Sequence, residues 1–466
     1  MDKVVASFAD AVADVGSGDT IGIAGFGVIH GFPVQLIAAV REREVHDLTI
    51  VCNSLGRDAA HPVSLVRAGR ASKLVAAFSS RAGGVAGSAS ALSPVPLEVE
   101  LVPQGVLVER LRAAAAGIGA FYSPVAEDTV ITAGKERREI DGQRYVLEWP
   151  LRLDYALIHA QKADRSGNLS FRGTSQNFGP SFAKGAKTVI AEVDELVETG
   201  EIDPADVDLP GIFVDRVVKR TQNADPLWRM PREAAEARTY LGRQGRTAQQ
   251  VAERIAGLLP DGGYVNLGVG LPTMVSDHLA GRDVVLHAEN GVLGYGTRIA
   301  PDDADPDYYN AGSEPVSLRP GASVFDSTEA FEIARSGRLT AVVLGAFQVD
   351  KRGSFANWTT PAMGGGAIGG AMDLLVHPGK LIIAMWHCER SGQPKIVGAC
   401  QYDVTGTECV DFIVTDLAVI ERDERGLVLR ECAPGFEPGD IVSLTGAPLV
   451  TDLWTTPPTI PLQRSS

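Results

Sequence analysis

The sequence predicts an α/β protein made of two similarly folded, open, mainly parallel domains. Three observations carry that prediction. Short apolar, β-branched runs alternate with helix-patterned segments, the pattern of buried parallel strands joined by crossover helices. At 466 residues the chain is longer than one hydrophobic core usually organises. Three short motifs of the first half also return in the second half in the same order.

Taken in order, Phe8 to Val15 reads as helix and Thr20 to Ala24 as a short apolar strand. Pro33 to Arg43 returns to helical spacing, and Leu48 to Cys52 is a buried strand. Thr188 to Asp194 is a further strand late in this half. From Thr221 to Thr247 the chain turns polar, charged and proline-broken, which marks a linker. The reading divides the chain into an N-terminal domain, residues 1–238 with the linker, and a C-terminal domain, residues 239–466. The plan then restarts with a helix from Ala248 to Leu259, the turn Pro260-Asp-Gly-Gly and a strand from Tyr264 to Leu267.

The recurring motifs are glycine-bearing turns. Gly18-Asp19 leading to Gly25-Phe-Gly27 and Pro33 echoes Asp261-Gly leading to Gly268-Val-Gly270 and Pro272. Arg67-Ala-Gly-Arg70 echoes Arg335-Ser-Gly-Arg338, and Asp164-Arg-Ser-Gly167 echoes Asp350-Lys-Arg-Gly353. Common order favours an old duplication over chance similarity of turns.

Composition excludes several classes. A net charge of −15 opposes non-specific binding to nucleic acid or to anionic membranes. Five cysteines form no CxxC pair and no metal spacing, so they read as reduced thiols. No apolar run approaches the length of a membrane span, and the first residues lack the layout of a secretion signal. The expectation is a soluble, cytoplasmic protein. The eight histidines form no HExxH, and neither GxSxG nor GxxxxGK[ST] occurs, which disfavours zinc hydrolases, serine hydrolases and nucleotide hydrolases.

Four segments can carry chemistry. Gly25-Phe-Gly27-Val-Ile-His-Gly31 is either an imperfect dinucleotide fingerprint or a tight strand-to-helix turn ending at Pro33. Glu289 follows the apolar run Asp283 to Ala288, so it falls at the carboxyl end of a strand, where open α/β sheets bind ligands. Asn290-Gly291 then makes a tight turn; a surface glutamate beside that turn is the alternative. Gly364 to Gly370 holds five glycines in seven residues, either a cradle of N–H groups for an oxyanion or a flexible loop. Asn53, directly after the strand ending at Cys52, offers an amide N–H or closes an Asx turn.

At these residues the chain resembles the family I coenzyme A transferases, in the single-chain form that fuses both subunits. The first half carries the resemblance through Asp19 to Pro33, Leu97-Glu-Val-Glu-Leu-Val-Pro-Gln104-Gly and Lys162-Ala-Asp-Arg-Ser-Gly-Asn-Leu. The second carries it through Val265-Asn-Leu-Gly-Val-Gly-Leu-Pro, Glu289-Asn-Gly-Val-Leu-Gly, Asn310-Ala-Gly, Ala356-Asn-Trp and Gly369-Gly-Ala-Met-Asp-Leu.

The resemblance implies a site between the two domains and a covalent route in which Glu289 attacks an acyl-CoA carbonyl. It casts Asn53 and the Gly370 N–H as oxyanion donors and puts Gln104 beside the reacting carboxylate. It assigns Gly27, Asn290, Gly291, Ser313, Gly366 and Gly369 to substrate binding. Coenzyme A is then a substrate, no metal or tightly bound cofactor is needed, and the fused unit is expected to form a homodimer. The implied reaction moves coenzyme A from an acyl-CoA such as succinyl-CoA to a 3-oxoacid such as acetoacetate. 3-Oxoadipate, another short-chain acid, or hydrolysis on the same fold are the alternatives. This chain departs from the family at Ala24, Ala288, Ser313, Met363 to Gly366, Gly173 to Gln176 and Trp386. Lysines usual near Ser313 and Gly366 are absent, which bears on the choice of acid.

Overall fold

In the computed structural model, residues 1–27, 30–57, 60–80, 88–222, 237–456 and 459 are described. The core of the linker reading, residues 223–236, lies outside them, as do Val28 and Ile29 of the glycine motif.

The first unit is a sheet of β1 (Thr20–Ile23), β2 (Leu48–Ser54), β3 (Ala71–Phe78), β4 (Glu98–Leu101), β5 (Leu153–Asp164), β6 (Ala186–Val197) and β7 (Arg216–Lys219). Their order is β7-β6-β5-β1-β2-β3-β4, with every neighbour parallel. The apolar strands predicted from sequence are buried on both faces, as a sheet covered on each side requires. The predicted helix from Phe8 is shorter than expected, Phe8–Ala11, with turns after it. β2 also runs past Cys52, so Asn53 lies within the strand and is no Asx turn after it.

The second unit contains β8 (Gly263–Leu267), β9 (Val284–Ala288), β10 (Val292–Arg298), β11 (Val316–Val324), β12 (Ala341–Leu344), β13 (Lys380–Ala384) and β14 (Phe412–Val414). β15 (Ala418–Asp423), β16 (Gly426–Cys432) and β17 (Val450–Thr451) complete it. The order is β11-β10-β9-β8-β12-β13-β14-β15-β16-β17. Its centre, β9-β8-β12-β13-β14, is parallel. Its flanks turn antiparallel, because the Asn290-Gly291 turn sends β10 straight back along β9 and β15 doubles back along β14, and only the edge strand β17 returns to parallel pairing, on β16.

The repeat seen in the sequence is a repeat of turns. In both hairpins the aspartate Oδ1 accepts two backbone N–H groups: Asp164 from Ser166 and Asn168 at 2.9 and 3.0 Å, Asp350 from Arg352 and Ser354 at 2.9 Å each. Each Arg-x-Gly-Arg motif likewise links a helix that ends at its first arginine to a strand beginning shortly after its second. A small antiparallel sheet, Phe121–Ser123, Arg137–Ile140 and Gln143–Glu148, was not anticipated.

Helices α1 (Gln104–Ala115), α2 (Ser327–Arg335) and α3 (Ala371–Leu374) bring the two units together, with α1 packed on both others. One continuous apolar core includes Val106, Leu111 and Phe182 of the first unit together with Phe331, Met372 and Leu374 of the second. Separate clusters fill the outer side of each sheet. In each sheet the first strand lies where the winding reverses, β1 between β5 and β2, and β8 between β9 and β12. Ligands of open α/β sheets bind beyond the carboxyl ends of strands at such points.

Candidate active site

β9 ends at Ala288 and delivers Glu289 to the carboxyl edge of the second sheet. The side chain is only 8% exposed, and Oε2 has no hydrogen-bond partner among the described residues. Burial pushes the carboxyl up to about 7, while its own N–H and the Asn266 amide pull in the opposite direction. Asn266, on β8, is the register partner of His287 and donates from Nδ2 to His287 Nδ1 at 3.0 Å. Burial holds the His287 imidazole down at about 4, so it is neutral at physiological pH.

The turn after Glu289 is fixed by contacts the sequence did not reveal. Asn290 Nδ2 donates to the Tyr309 carbonyl at 2.7 Å, and the Tyr309 ring stacks on His30 with centroids 3.5 Å apart. Gly291 has φ 102°, and a Cβ there would lie 2.0 Å from the Phe325 carbonyl oxygen. Gly291→Ala is therefore expected to displace the turn and destabilise the fold by about 2 kcal/mol or more, read as a lowered denaturation midpoint with reduced activity. A melting curve like that of the unaltered protein would refute this.

Opposite pieces come from the first unit. Asn53 is 1% exposed; its Oδ1 accepts from Gln104 Nε2 at 2.8 Å, and its Nδ2 has no partner among the described residues. Gln104 is fully buried, with Oε1 likewise unpartnered. The Gln104 N–H donates to the Gly369 carbonyl at 3.0 Å, and a Cβ on Gly370 would lie 3.1 Å from Gln104 Oε1. Asn53, Gln104, Gly369 and Gly370 thus form one cross-unit cluster. No hydrogen bond among the described residues joins it to Glu289.

The other expected residues divide. Gly27 and Ser313 approach across the units, both with left-handed backbones, and a Cβ on Gly27 would lie 2.1 Å from Ser313 Oγ. The Gly27 carbonyl accepts from Ser54 Oγ, beside Asn53. The glycine run is packed and is no flexible loop: the Gly366 N–H donates to Ser79 Oγ at 3.1 Å, and its carbonyl accepts from the Ser79 and Ser80 N–H groups. A Cβ at Gly366 would sit 2.6 Å from Leu101 Cδ1 and 2.9 Å from the Trp358 ring. Its N–H is therefore already engaged within the protein. The Gly25 motif is a turn closed by paired hydrogen bonds between Phe26 and His30, and Gly25 is needed because a Cβ would strike the Phe32 ring.

A desolvated carboxylate at a strand end, in a protein that also holds unpaired amide atoms buried between its units, suits acyl transfer. The chain belongs to the coenzyme A transferase family: the family model described as Coenzyme A transferase matches residues 5–220 and 248–444. It is a fused two-domain coenzyme A transferase, with coenzyme A as a substrate. It is similar to succinyl-CoA:3-ketoacid coenzyme A transferase 2 of Homo sapiens, at 35% identity over 468 residues, covering 95% of this chain and 89% of that protein.

The chain is also similar to both subunits of the 3-oxoadipate CoA-transferase of Pseudomonas putida. One of them is 45% identical over 218 residues, 47% of this chain and 94% of its own length. The other is 42% identical over 202 residues, 43% of this chain and 95% of its own length. The acyl-CoA transferase apoenzyme of Escherichia coli O157:H7 has the same fold, with a TM-score of 0.79 at 20% identity over 97% of this chain and 95% of that one.

One expectation is corrected. Relatives matched over 93–95% of this chain, from Homo sapiens, Mus musculus and Rattus norvegicus, are mitochondrial proteins, so the cytoplasmic assignment does not stand. The lack of a secretion layout in the first residues does not bear on an organelle. Among the described residues no helix is long and apolar enough to cross a membrane, and no group of three or more His, Cys, Asp or Glu could hold a metal ion.

Proposed function

We propose that the protein transfers coenzyme A from succinyl-CoA to a 3-oxoacid such as acetoacetate by a ping-pong route through Glu289, working between units 1–238 and 239–466 of a homodimer. The observation that carries the route is the buried Glu289 carboxylate with one oxygen free of protein partners. That carboxylate attacks the thioester carbonyl, the C–S bond breaks, and coenzyme A leaves as thiolate from an acyl-glutamyl anhydride. The thiolate then attacks the glutamyl carbonyl, expelling succinate and leaving a glutamyl-CoA thioester. The acceptor carboxylate reverses both steps and departs as its own thioester. The unpartnered Asn53 Nδ2 and the Gly370 N–H are the donors that stabilise the oxyanion at each attack. Closure of the two units over the site protects the anhydride from water.

3-Oxoadipate is the second reading for the acid, supported by the higher identity of the chain to each of the 3-oxoadipate transferase subunits. Incubation with succinyl-CoA alone, followed by borohydride or hydroxylamine trapping and intact mass measurement, tests the covalent route. An adduct on Glu289 supports it; steady release of free coenzyme A with no adduct would instead favour a hydrolase. Comparing kcat/KM for acetoacetate and 3-oxoadipate then decides the acceptor.

A pH profile follows from the Glu289 carboxyl, raised from 4.5 to about 7. Only the ionised form attacks, so the first half-reaction is expected to quicken about tenfold per unit below pH 7 and to level off above it. Stability runs the opposite way. Folding favours the protonated acid, so this contribution is full below pH 4.5 and is lost as pH rises through 7. Glu289→Gln should therefore melt higher than the unaltered protein at pH 8 and alike at pH 4.5. A flat rate profile from pH 5.5 to 8 would contradict the assignment.

A further inference from the structure

Asn53 and Gly370 belong to different units, so their register depends on what locks the units together beside them. We propose that Asp373, braced by Arg335 and Glu109, is a positioning residue that sets the Asn53–Gln104 pair against Gly370. The inference rests on the oxyanion assignment made above.

The contacts between the units start at the first turn of α1. Its N-cap is Pro103, which offers no side-chain cap, so the first N–H groups of the helix need other acceptors. Both come from the other unit. Gln104 N–H donates to the Gly369 carbonyl, and Gly105 N–H donates to Asp373 Oδ2 at 2.9 Å. A carboxylate at the positive end of a helix is also favoured electrostatically.

The second oxygen closes a ring. Asp373 Oδ1 accepts from Arg335 Nη1 at 3.1 Å, and Arg335 Nη2 donates to Glu109 Oε1 at 2.6 Å. Glu109 lies on α1 one turn after Gly105, so the ring leaves α1, crosses to α3 and α2, and returns to the same helix face. Asp373 is completely buried, and burial pushes its carboxyl up to about 6 against the pull of Arg335 and the Gly105 N–H. An uncompensated charge there is costly, so the ring is a constraint of position as well as of charge.

Two details tie the ring to the site. Asp373 shares the single short turn of α3 with Gly370, its N-cap, so fixing one fixes the direction of the other's N–H. Gly105 has no spare room: a Cβ would lie 2.1 Å from Asp373 Oδ1 and 2.7 Å from Arg335 Nη1. The repeat sharpens the point. Arg335 opens the second copy of the Arg-x-Gly-Arg turn, while its counterpart Arg67 is exposed. The same turn motif occurs in both units, and its first arginine reaches across them only in the second.

The test measures steady-state rates, the single-turnover release of coenzyme A from succinyl-CoA, and melting temperature for Asp373→Asn, Gly105→Ala, their double variant, and Glu109→Gln. A misplacement of about 1 Å at a reacting centre costs on the order of 100-fold. Asp373→Asn is therefore expected to lose about 10- to 100-fold in kcat and in single-turnover rate, with KM for succinyl-CoA changed by about twofold or less. The double variant should be no worse than the poorer single one. Glu109→Gln, which perturbs the ring at its partly exposed side, should lose a few-fold in kcat alone. Adduct formation at the unaltered rate in Asp373→Asn overturns the positioning role, as do multiplicative losses in the double variant. If Asp373→Asn does not fold, an unchanged kcat in Glu109→Gln overturns it. Absence of a Glu289 adduct in the unaltered protein is a different outcome, which removes the oxyanion reading and the clamp's function with it.

Discussion

Glu289→Ala is expected to lower kcat by on the order of 10,000-fold or more and to abolish the mass adduct formed with succinyl-CoA. The size follows from the position of the group. Leaving a buried oxygen unpaired costs about 1–3 kcal/mol, and the proposed nucleophilic role of Glu289 accounts for that cost at its free oxygen. Alanine removes the nucleophile without filling its space, so succinyl-CoA should still bind, with KM changed far less than kcat. Glu289→Gln tests the same point with the shape retained. Activity within tenfold of the unaltered protein in either variant would eliminate the covalent route and leave direct transfer between bound substrates.

Asn53→Ala is expected to lower kcat by about 100- to 1,000-fold, the effect of removing one oxyanion donor. It should do so with a stability cost, because the Gln104 Nε2 that now donates to Asn53 Oδ1 at 2.8 Å would lose its acceptor inside the protein. Asn53→Asp tests the donor with the shape retained. The carboxylate still accepts from Gln104, while the proposed donor N–H is replaced by an oxygen whose charge is costly to bury at a position 1% exposed. The aspartate variant should therefore also melt lower than the unaltered protein and react more slowly than the alanine variant in single-turnover release of coenzyme A. Equal rates for Asn53→Asp and the unaltered protein would remove Asn53 from the donor set.

Much of the frame was legible because parallel strands buried on both faces read as unbroken apolar runs. Leu48 to Cys52 and Asp283 to Ala288 announced β2 and β9, and with β9 the place of Glu289. The hairpin turns were legible because an aspartate two residues before the turn N–H groups is a local device. What stayed hidden is long-range. That the glycines at 364–366 serve close packing depends on Ser79, Leu101 and Trp358, which lie far from them in sequence or across a turn. Asn266, His287 and Tyr309 organise the neighbourhood of Glu289 through partners 19 to 21 residues away, and none carries a composition signal. Asp373 reads as one more acid after a glycine pair until α1 is seen to start on it. The antiparallel flanks of the second sheet were missed because short strands that reverse direction look locally like those that do not.

The cross-unit cluster has a consequence for how the protein responds to dilution. Neither unit holds both Glu289 and Asn53, so the proposed site requires one copy of each, and two separate chains would have to find one another in solution. Here the same polypeptide carries both, which places each half before its partner at an effective concentration of roughly millimolar. Specific activity per chain should then stay constant as the protein is diluted to nanomolar levels, where an unlinked pair of moderate affinity would come apart. Synthesis also delivers the halves in equal number, so no surplus of either accumulates with its share of the common apolar core bare to solvent.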